Sequence, residues 1–345
     1  MIDIPPPLRL LIDGPALAAN WRALDRMSGT AAAGAAVKAD GYGLGAVQVA
    51  ERLAQAGCRD FFTATWAEAQ ALAPLGLTVS VLHGLRDEDV PAALAGFARP
   101  VLSTPTQVAR WRDAGGGPCD IMVDTGMNRL GLAAADVASG ILDGVTVETL
   151  MSHLACADED SSMNPAQRTA LHELRGRTGA RRLSLANSAG IALGSDYAFD
   201  LTRPGLALYG GIARVELASV IAPVVTPQAQ VLQRRRVPAG ATVGYNATWT
   251  APVDTEVAIV NLGYADGYLR GFSDRGVATA GDAVLPVIGR VSMDLVALNV
   301  AAAPDIAEGE WVSIAFDLPT AAAASGLSQY ELLTGLGARY GRVWA

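Results

Sequence analysis

The sequence predicts an α/β chain: a (β/α)8 barrel of TIM-like plan followed by a mainly antiparallel β domain. Two observations carry this. Between residues 30 and 210, short apolar runs alternate with longer amphipathic segments, the pattern of βα units around a parallel sheet. From about Ile221 the texture changes to β-branched, turn-punctuated runs. A chain of 345 residues accommodates both parts, and 51% hydrophobic with 17% charged residues is the composition of a packed chain rather than a disordered one.

Eight strand candidates end near Val37, Phe62, Leu82, Leu102, Val123, Ser152, Ala186 and Arg203. Their spacing averages about 24 residues, room for one βα unit at each step. The segments between them supply helices over 46–55, 66–73, 87–95, 106–113, 133–141 and 165–177, with Thr104-Pro105 and Asn164-Pro165 as capping signals. Pro223 and Pro227 mark the change of texture. After them QAQVLQRRRV, ATVGYNAT, VAIVNL, AVLPVIGRVSMDLVALNV and EWVSIAF read as strands. The expected domains are 1–220 for the barrel and 221–345 for the β domain, with the first few residues able to pack on the latter.

Several function classes are disfavoured. No apolar run reaches the roughly 18 to 20 residues of a membrane helix. The amino end, MIDIPPPLRLLIDG, has no basic cluster ahead of an apolar stretch, so no secretory signal is expected. Cys58, Cys119 and Cys156 are odd in number and lack a C-x-x-C, which suits neither a disulfide framework nor a zinc knuckle and fits a reducing cytoplasm. No metal site is read. A net charge of −8, with Arg234–Arg236 as the one basic run, disfavours nucleic acid.

A barrel places its working residues at the carboxyl ends of its strands. Lys38 stands just past the first strand, where desolvation lowers an amine's pKa and frees it to bond a carbonyl carbon. Taken alone, Lys38 reads as a solvated strand-end charge and the glycines after it as turn residues. Taken alone, too, Ser188 reads as a helix N-cap, Gly205 as a turn glycine, Arg129 as a surface arginine and His153 as a structural imidazole.

The motifs in chain order change that balance. They are VKADGYGLG (37–45), VDTGMNRLG (123–131), SHLACADE (152–159), LANSAG (185–190), RPGLALYG (203–210), VGYNATW (243–249), GYADGYLR (263–270), GRVSMD (289–294) and the final Arg339-Tyr340-Gly341-Arg342. Together they resemble the alanine racemases over nearly the whole chain, and the resemblance implies a cytoplasmic enzyme dependent on pyridoxal 5'-phosphate (PLP).

By that resemblance Lys38 holds PLP and serves as one of two proton-transfer bases. Tyr42, Asn187, Ser188, the Gly205-Leu206 backbone and Tyr340 bind the cofactor, chiefly its phosphate. Arg203 faces the ring nitrogen with a proton that a guanidinium does not surrender, which weakens the electron sink. His153 lies beside the ring, hydrogen-bonded toward the catalytic tyrosine. Arg129 reaches the phenolic oxygen of PLP and the substrate carboxylate, while Met293, through its N–H, and Asp294 also bind substrate. Tyr264 lines the entrance.

Racemisation removes a proton from one face of a flattened carbon and returns one to the other, so two bases are needed. The resemblance makes Tyr245 the second, contributed by the partner in a head-to-tail homodimer. A tyrosine at its ordinary pKa of about 10 needs nearby cations to ionise, a role open to His153 and the arginines. The implied reaction interconverts L- and D-alanine and supplies D-alanine for peptidoglycan. Alternatives are a racemase of other small amino acids such as serine, a non-enzymatic PLP-binding barrel, and a decarboxylase of the same two-domain plan. Two departures stand out. Met122 replaces a lysine that many members carry as a carbamate steadying the arginine, so Arg129 is expected to be oriented by another group. Asn246 replaces the glycine of VGYGAT.

Overall fold

The structure is a computed structural model that describes residues 4–345. The chain divides into two compact units, one formed by Leu17–Ala222 and the other by the residues up to Ala16 together with Pro223–Ala345.

In the first unit one parallel sheet runs in the order Ala32–Ala33, Leu201–Thr202, Arg182–Ser184, Val147–Met151, Cys119–Met122, Arg99–Leu102, Thr78–Val81, Asp60–Thr63, Ala35–Ala36. The two end segments are a single stretch of chain broken at Gly34, so the sheet closes on itself as an eight-stranded barrel. Gly34 makes the closure sterically possible. A Cβ there would stand 2.8 Å from both the Asp60 carbonyl and the Phe62 ring, while its N–H donates to Thr202 on the other side at 2.9 Å. The expected fold class is therefore correct, and the strand ends fall within a few residues of those read from apolar runs.

Helices follow the strands for local reasons. Thr65 and Glu68 form a reciprocal capping box at the start of Trp66–Leu72, and the Thr104 hydroxyl accepts from the Gln107 amide at the start of Pro105–Asp113. The Asn164-Pro165 reading needs correction. The helix there is Met163–His172, and Asn164 lies inside its first turn with a buried side chain donating to the carbonyls of Cys156 and Glu159, both at 3.0 Å. Asn164 thus holds the preceding loop instead of capping the helix.

The amino ends of the barrel strands are filled by charge. Arg182 grips Asp60 with two bonds of 2.8 and 3.0 Å, and Ser80 donates to the buried Asp120 at 2.6 Å, whose carboxyl burial pushes above the usual range. That end is closed, leaving the carboxyl ends for a site.

The second unit is built on the long strand Val225–Val237. Its first half pairs with Leu8–Ile12 and Trp311–Ile314, and its second half, beyond a register shift at Val231/Gln233, with Thr255–Val260. The shift bends the strand so that it serves both halves of the sheet. Thr255–Val260, Val296–Asn299, Ala283–Ile288, Val277–Ala280 and Trp311–Ile314 complete a ring with it. All pairings are antiparallel except that of Leu8–Ile12 with Gly341–Trp344. The run ATVGYNAT is not one strand: pairing ends at Val243, and the chain turns before Trp249–Thr250. No helix among the described residues is long and apolar enough to cross a membrane.

Candidate active site

Lys38 stands one residue past the strand segment Ala35–Ala36, after Val37, and opens a turn of unusual backbone. Ala39, Asp40, Gly41 and Tyr42 all have positive φ, between 52° and 63°, a left-handed turn that costs about 1–2 kcal/mol for each non-glycine residue. Several bonds stabilise it. The Ala39 amide donates to Glu68 (2.8 Å), the Asp40 carboxylate accepts from Ala46 (2.8 Å), and the Gly41 and Gly43 amides return to Val37 and Ala39 (both 2.9 Å). The turn carries Tyr42 back over the barrel, where its buried ring stacks on Tyr209 at 4.5 Å.

The Lys38 amine makes no ion pair among the described residues. Burial, then the positive charge of Arg129, hold its pKa below the usual amine value, with Glu68 opposing and Arg203 adding to the lowering. The charges of Arg203, Arg129 and Lys38 reach His153 as well. With burial as the larger cause, they push the imidazole down to about 3. An imidazole so placed is neutral near pH 7.

Arg203 is buried at the end of Leu201–Thr202. Its guanidinium donates to the Ser184 hydroxyl and, at 2.5 Å, to the Ser152 carbonyl. Burial pushes its pKa down to about 10, against the raising influence of Asp120, and it keeps its proton at neutral pH.

Ser188 is 1% exposed in the first turn of Ser188–Ala192. Asn187 is the N-cap, accepting from the Gly190 amide at 2.8 Å. The Ser188 oxygen accepts from the Gly205 amide at 3.0 Å and the Ala207 amide at 3.1 Å. The Gly205 N–H is therefore bonded to Ser188, and the serine hydrogen remains to be given. Arg129 is exposed on the loop after Cys119–Met122, and Met122 is buried with its carbonyl accepting from Leu132 at 2.9 Å.

The remaining expected residues lie in the second unit, around residues 289–294. Tyr245 is 63% exposed at the tip of the hairpin Thr242–Val243/Trp249–Thr250. The hairpin sits on a core of Val237, Ala251, Val257 and Ile288. Asn246 has φ 62°, the left-handed region, where asparagine is the side chain that best stands in for glycine. Tyr264 donates its amide to Ser292 (3.0 Å), and Ala265 donates to the Met293 carbonyl (3.1 Å). Met293 is 53% exposed, and its own amide has no acceptor among the described residues. The Asp294 carboxylate is taken by Arg339 at 2.7 Å, and Arg339 also grips the buried Asp266. Tyr340, next to it, is buried, and burial raises its phenol well above the ordinary value.

The first unit thus carries a desolvated amine with no ion pair among the described residues, a buried serine that accepts two backbone amides, and a buried guanidinium fixed by two oxygens. Comparisons with known proteins give the family. The model of the alanine racemase N-terminal domain matches residues 12–213, and that of the C-terminal domain matches 224–344. The chain belongs to the alanine racemase family. This family of isomerases includes the alanine racemase of Acidiphilium cryptum, 43% identical over 97% of this chain and 98% of that one. The alanine racemase of Dinoroseobacter shibae is likewise 43% identical, over 97% of each chain. The crystal structure of alanine racemase from Bartonella henselae with covalently bound pyridoxal phosphate superposes with a TM-score of 0.89 at 32% identity, covering 98% of this chain and 99% of that one.

Sequence reasoning missed the supports of these groups. Glu68 was legible as the end of a T-x-x-E capping box, whereas its bond to Ala39 was not. Ser152 and Ser184 each follow or end a strand, a position that signals inward-facing polar residues in a barrel. Nothing in the local sequence marks Gln167, which contacts residues 12 and 42 positions away.

Proposed function

We propose that the chain interconverts L- and D-alanine with PLP as cofactor. One proton site is Lys38, and the other is Tyr245 of the partner subunit in a head-to-tail homodimer. The observation that carries the reading is the desolvated Lys38 amine, without an ion pair among the described residues, standing at a strand's carboxyl end within reach of the charges of Arg129 and Arg203. Bound PLP would withdraw electron density from the Cα–H bond of an attached amino acid and so acidify it.

The protein's own part follows from its donors. Lys38 would hold the cofactor and then carry a proton at Nζ, its lowered pKa leaving the amine ready to accept one. The Ser188 hydroxyl, the Leu206 amide, Tyr42 and Tyr340 would hold the phosphate, with Asn187 and Gly205 fixing the corner from behind. Arg203 would keep its hydrogen against the ring nitrogen. The neutral His153 would pack beside the ring as a hydrogen-bond partner rather than a charge. Arg129 and the Met293 amide would orient the substrate carboxylate. Asp294, itself an anion held by Arg339, would act by fixing that corner. Tyr264 would restrict the entrance to a small side chain.

A chiral assay of the purified protein with PLP against a panel of L-amino acids tests the reading. Fastest formation of the D-enantiomer from L-alanine supports it. Fastest turnover of serine selects the broader racemase, and release of carbon dioxide without inversion selects a decarboxylase. No turnover of any amino acid would leave a PLP-binding barrel without racemase activity.

A further inference from the structure

We infer that Gln167 is a positioning residue that holds the Arg129 loop and the His153 segment in one arrangement. The inference rests on the reading above, which places Arg129, His153 and Arg203 in the active site.

Gln167 projects from Met163–His172 and is 1% exposed. Its Nε2 donates to the His153 carbonyl at 2.9 Å and to the Thr125 hydroxyl at 3.2 Å, and its Oε1 accepts from the Ala155 amide at 2.9 Å. Both amide hydrogens and the oxygen are therefore used. The Thr125 hydroxyl in turn meets the Ser152 hydroxyl at 2.7 Å, and the Ser152 carbonyl takes the Arg203 guanidinium. One connected set of bonds thus joins the loop after Cys119–Met122, the segment after Val147–Met151, and the buried arginine.

The loop needs such a tie. Arg129 itself is exposed on this loop. The Asp124 carboxylate bonds to the amides of Gly126 (2.8 Å) and Asn128 (3.1 Å), which shapes the loop internally without fixing it to the barrel. Thr125, four residues before Arg129, makes the outward side-chain link. A carboxamide suits the position because a carboxylate donates nothing and would face the His153 carbonyl with like charge, while a thioether of the same length offers neither strong donor nor strong acceptor.

The test compares the PLP-loaded wild type with Gln167→Met, Thr125→Val and the double variant. For Gln167→Met we expect KM for L-alanine to rise about tenfold or more with kcat within about threefold, because the carboxylate-binding arginine, and not the proton sites, loses its support. The Ala155 amide, deprived of its acceptor, should exchange hydrogen at least about tenfold faster, a readout independent of turnover. In the double variant KM should rise by clearly less than the product of the two single effects, since both substitutions break the Gln167–Thr125 bond. If Gln167→Met does not fold, Thr125→Val alone should show the KM rise. An unchanged KM in the folded variants, or multiplicative effects of the two substitutions, overturns the inference. A wild type that fails to racemise alanine overturns the functional reading instead, and Ala155 exchange then still reports on the tie.

Discussion

The Tyr42 hydroxyl lies so close over Gly205 that a Cβ built on the glycine would stand 2.3 Å from it. The left-handed turn after Lys38 and the segment after Leu201–Thr202 are thereby fitted together at the corner where Ser188 accepts two backbone amides. Gly205→Ala must displace the Tyr42 ring from its stack on Tyr209 or push the Gly205 and Ala207 amides off Ser188. Cofactor affinity should fall about tenfold or more, since at least one good hydrogen bond is lost, with secondary structure retained. Titration of the apoprotein with PLP, followed by absorbance, measures this. Wild-type affinity in the variant would mean that neither group touches the cofactor.

Asn246 offers a test of backbone rather than side-chain demand. At φ 62° a glycine relieves strain and a β-branched residue adds it. Asn246→Gly should keep kcat within about twofold, and Asn246→Val should lower it by about tenfold through misplacement of Tyr245. PLP affinity should stay constant in both. Equal activity of the valine variant would show that the loop conformation does not matter.

The pH dependence of stability carries the signature of His153. Its folded pKa of about 3 lies below the unfolded value of 6.5, so between those values the unfolded chain binds a proton that the folded chain refuses. The residue's contribution to stability is whole above about pH 6.5 and is lost as the pH falls toward 3, amounting to about 2 kcal/mol of loss by pH 5. Chemical denaturation of wild type and His153→Gln at pH 7 and pH 5 compares the two. The wild type should lose more stability than the variant on acidification. Parallel losses would indicate that the imidazole is protonated in the folded protein.

Much of this was written locally in the chain. Apolar runs ending at Phe62, Leu102 and Val123 mark barrel strands because each is buried on both faces, and the motifs around Lys38, Ser188 and Arg203 mark the candidate site because they sit at strand ends. What escaped depends on distant partners. Leu8–Ile12 is a strand because Val225–Ala229 lies beside it, some 217 residues on, and no local pattern carries that. The left-handed turn at Ala39–Tyr42 is hidden because alanine and tyrosine do not advertise positive φ. The same holds for Gln167, an ordinary polar residue on an amphipathic helix until Thr125 and His153 are placed against it.

Lys38 should be indispensable for the covalent link to the cofactor. Lys38→Ala should abolish the long-wavelength absorbance of lysine-bound PLP and reduce racemisation by at least about four orders of magnitude, as expected when a base and attachment point is removed. Added PLP should still bind through the Ser188 corner. Persistence of the absorbance band would remove Lys38 from its role.

The most direct test mixes two inactive proteins, Lys38→Ala and Tyr245→Phe, under conditions in which subunits exchange. If each site takes its lysine from one chain and its tyrosine from the other, every mixed dimer holds one intact site and one doubly defective site. At equal concentrations, random pairing then restores about a quarter of wild-type activity. If both bases come from the same chain, every site in the mixture lacks one of them. Activity staying at the level of the parent variants after exchange would contradict the account.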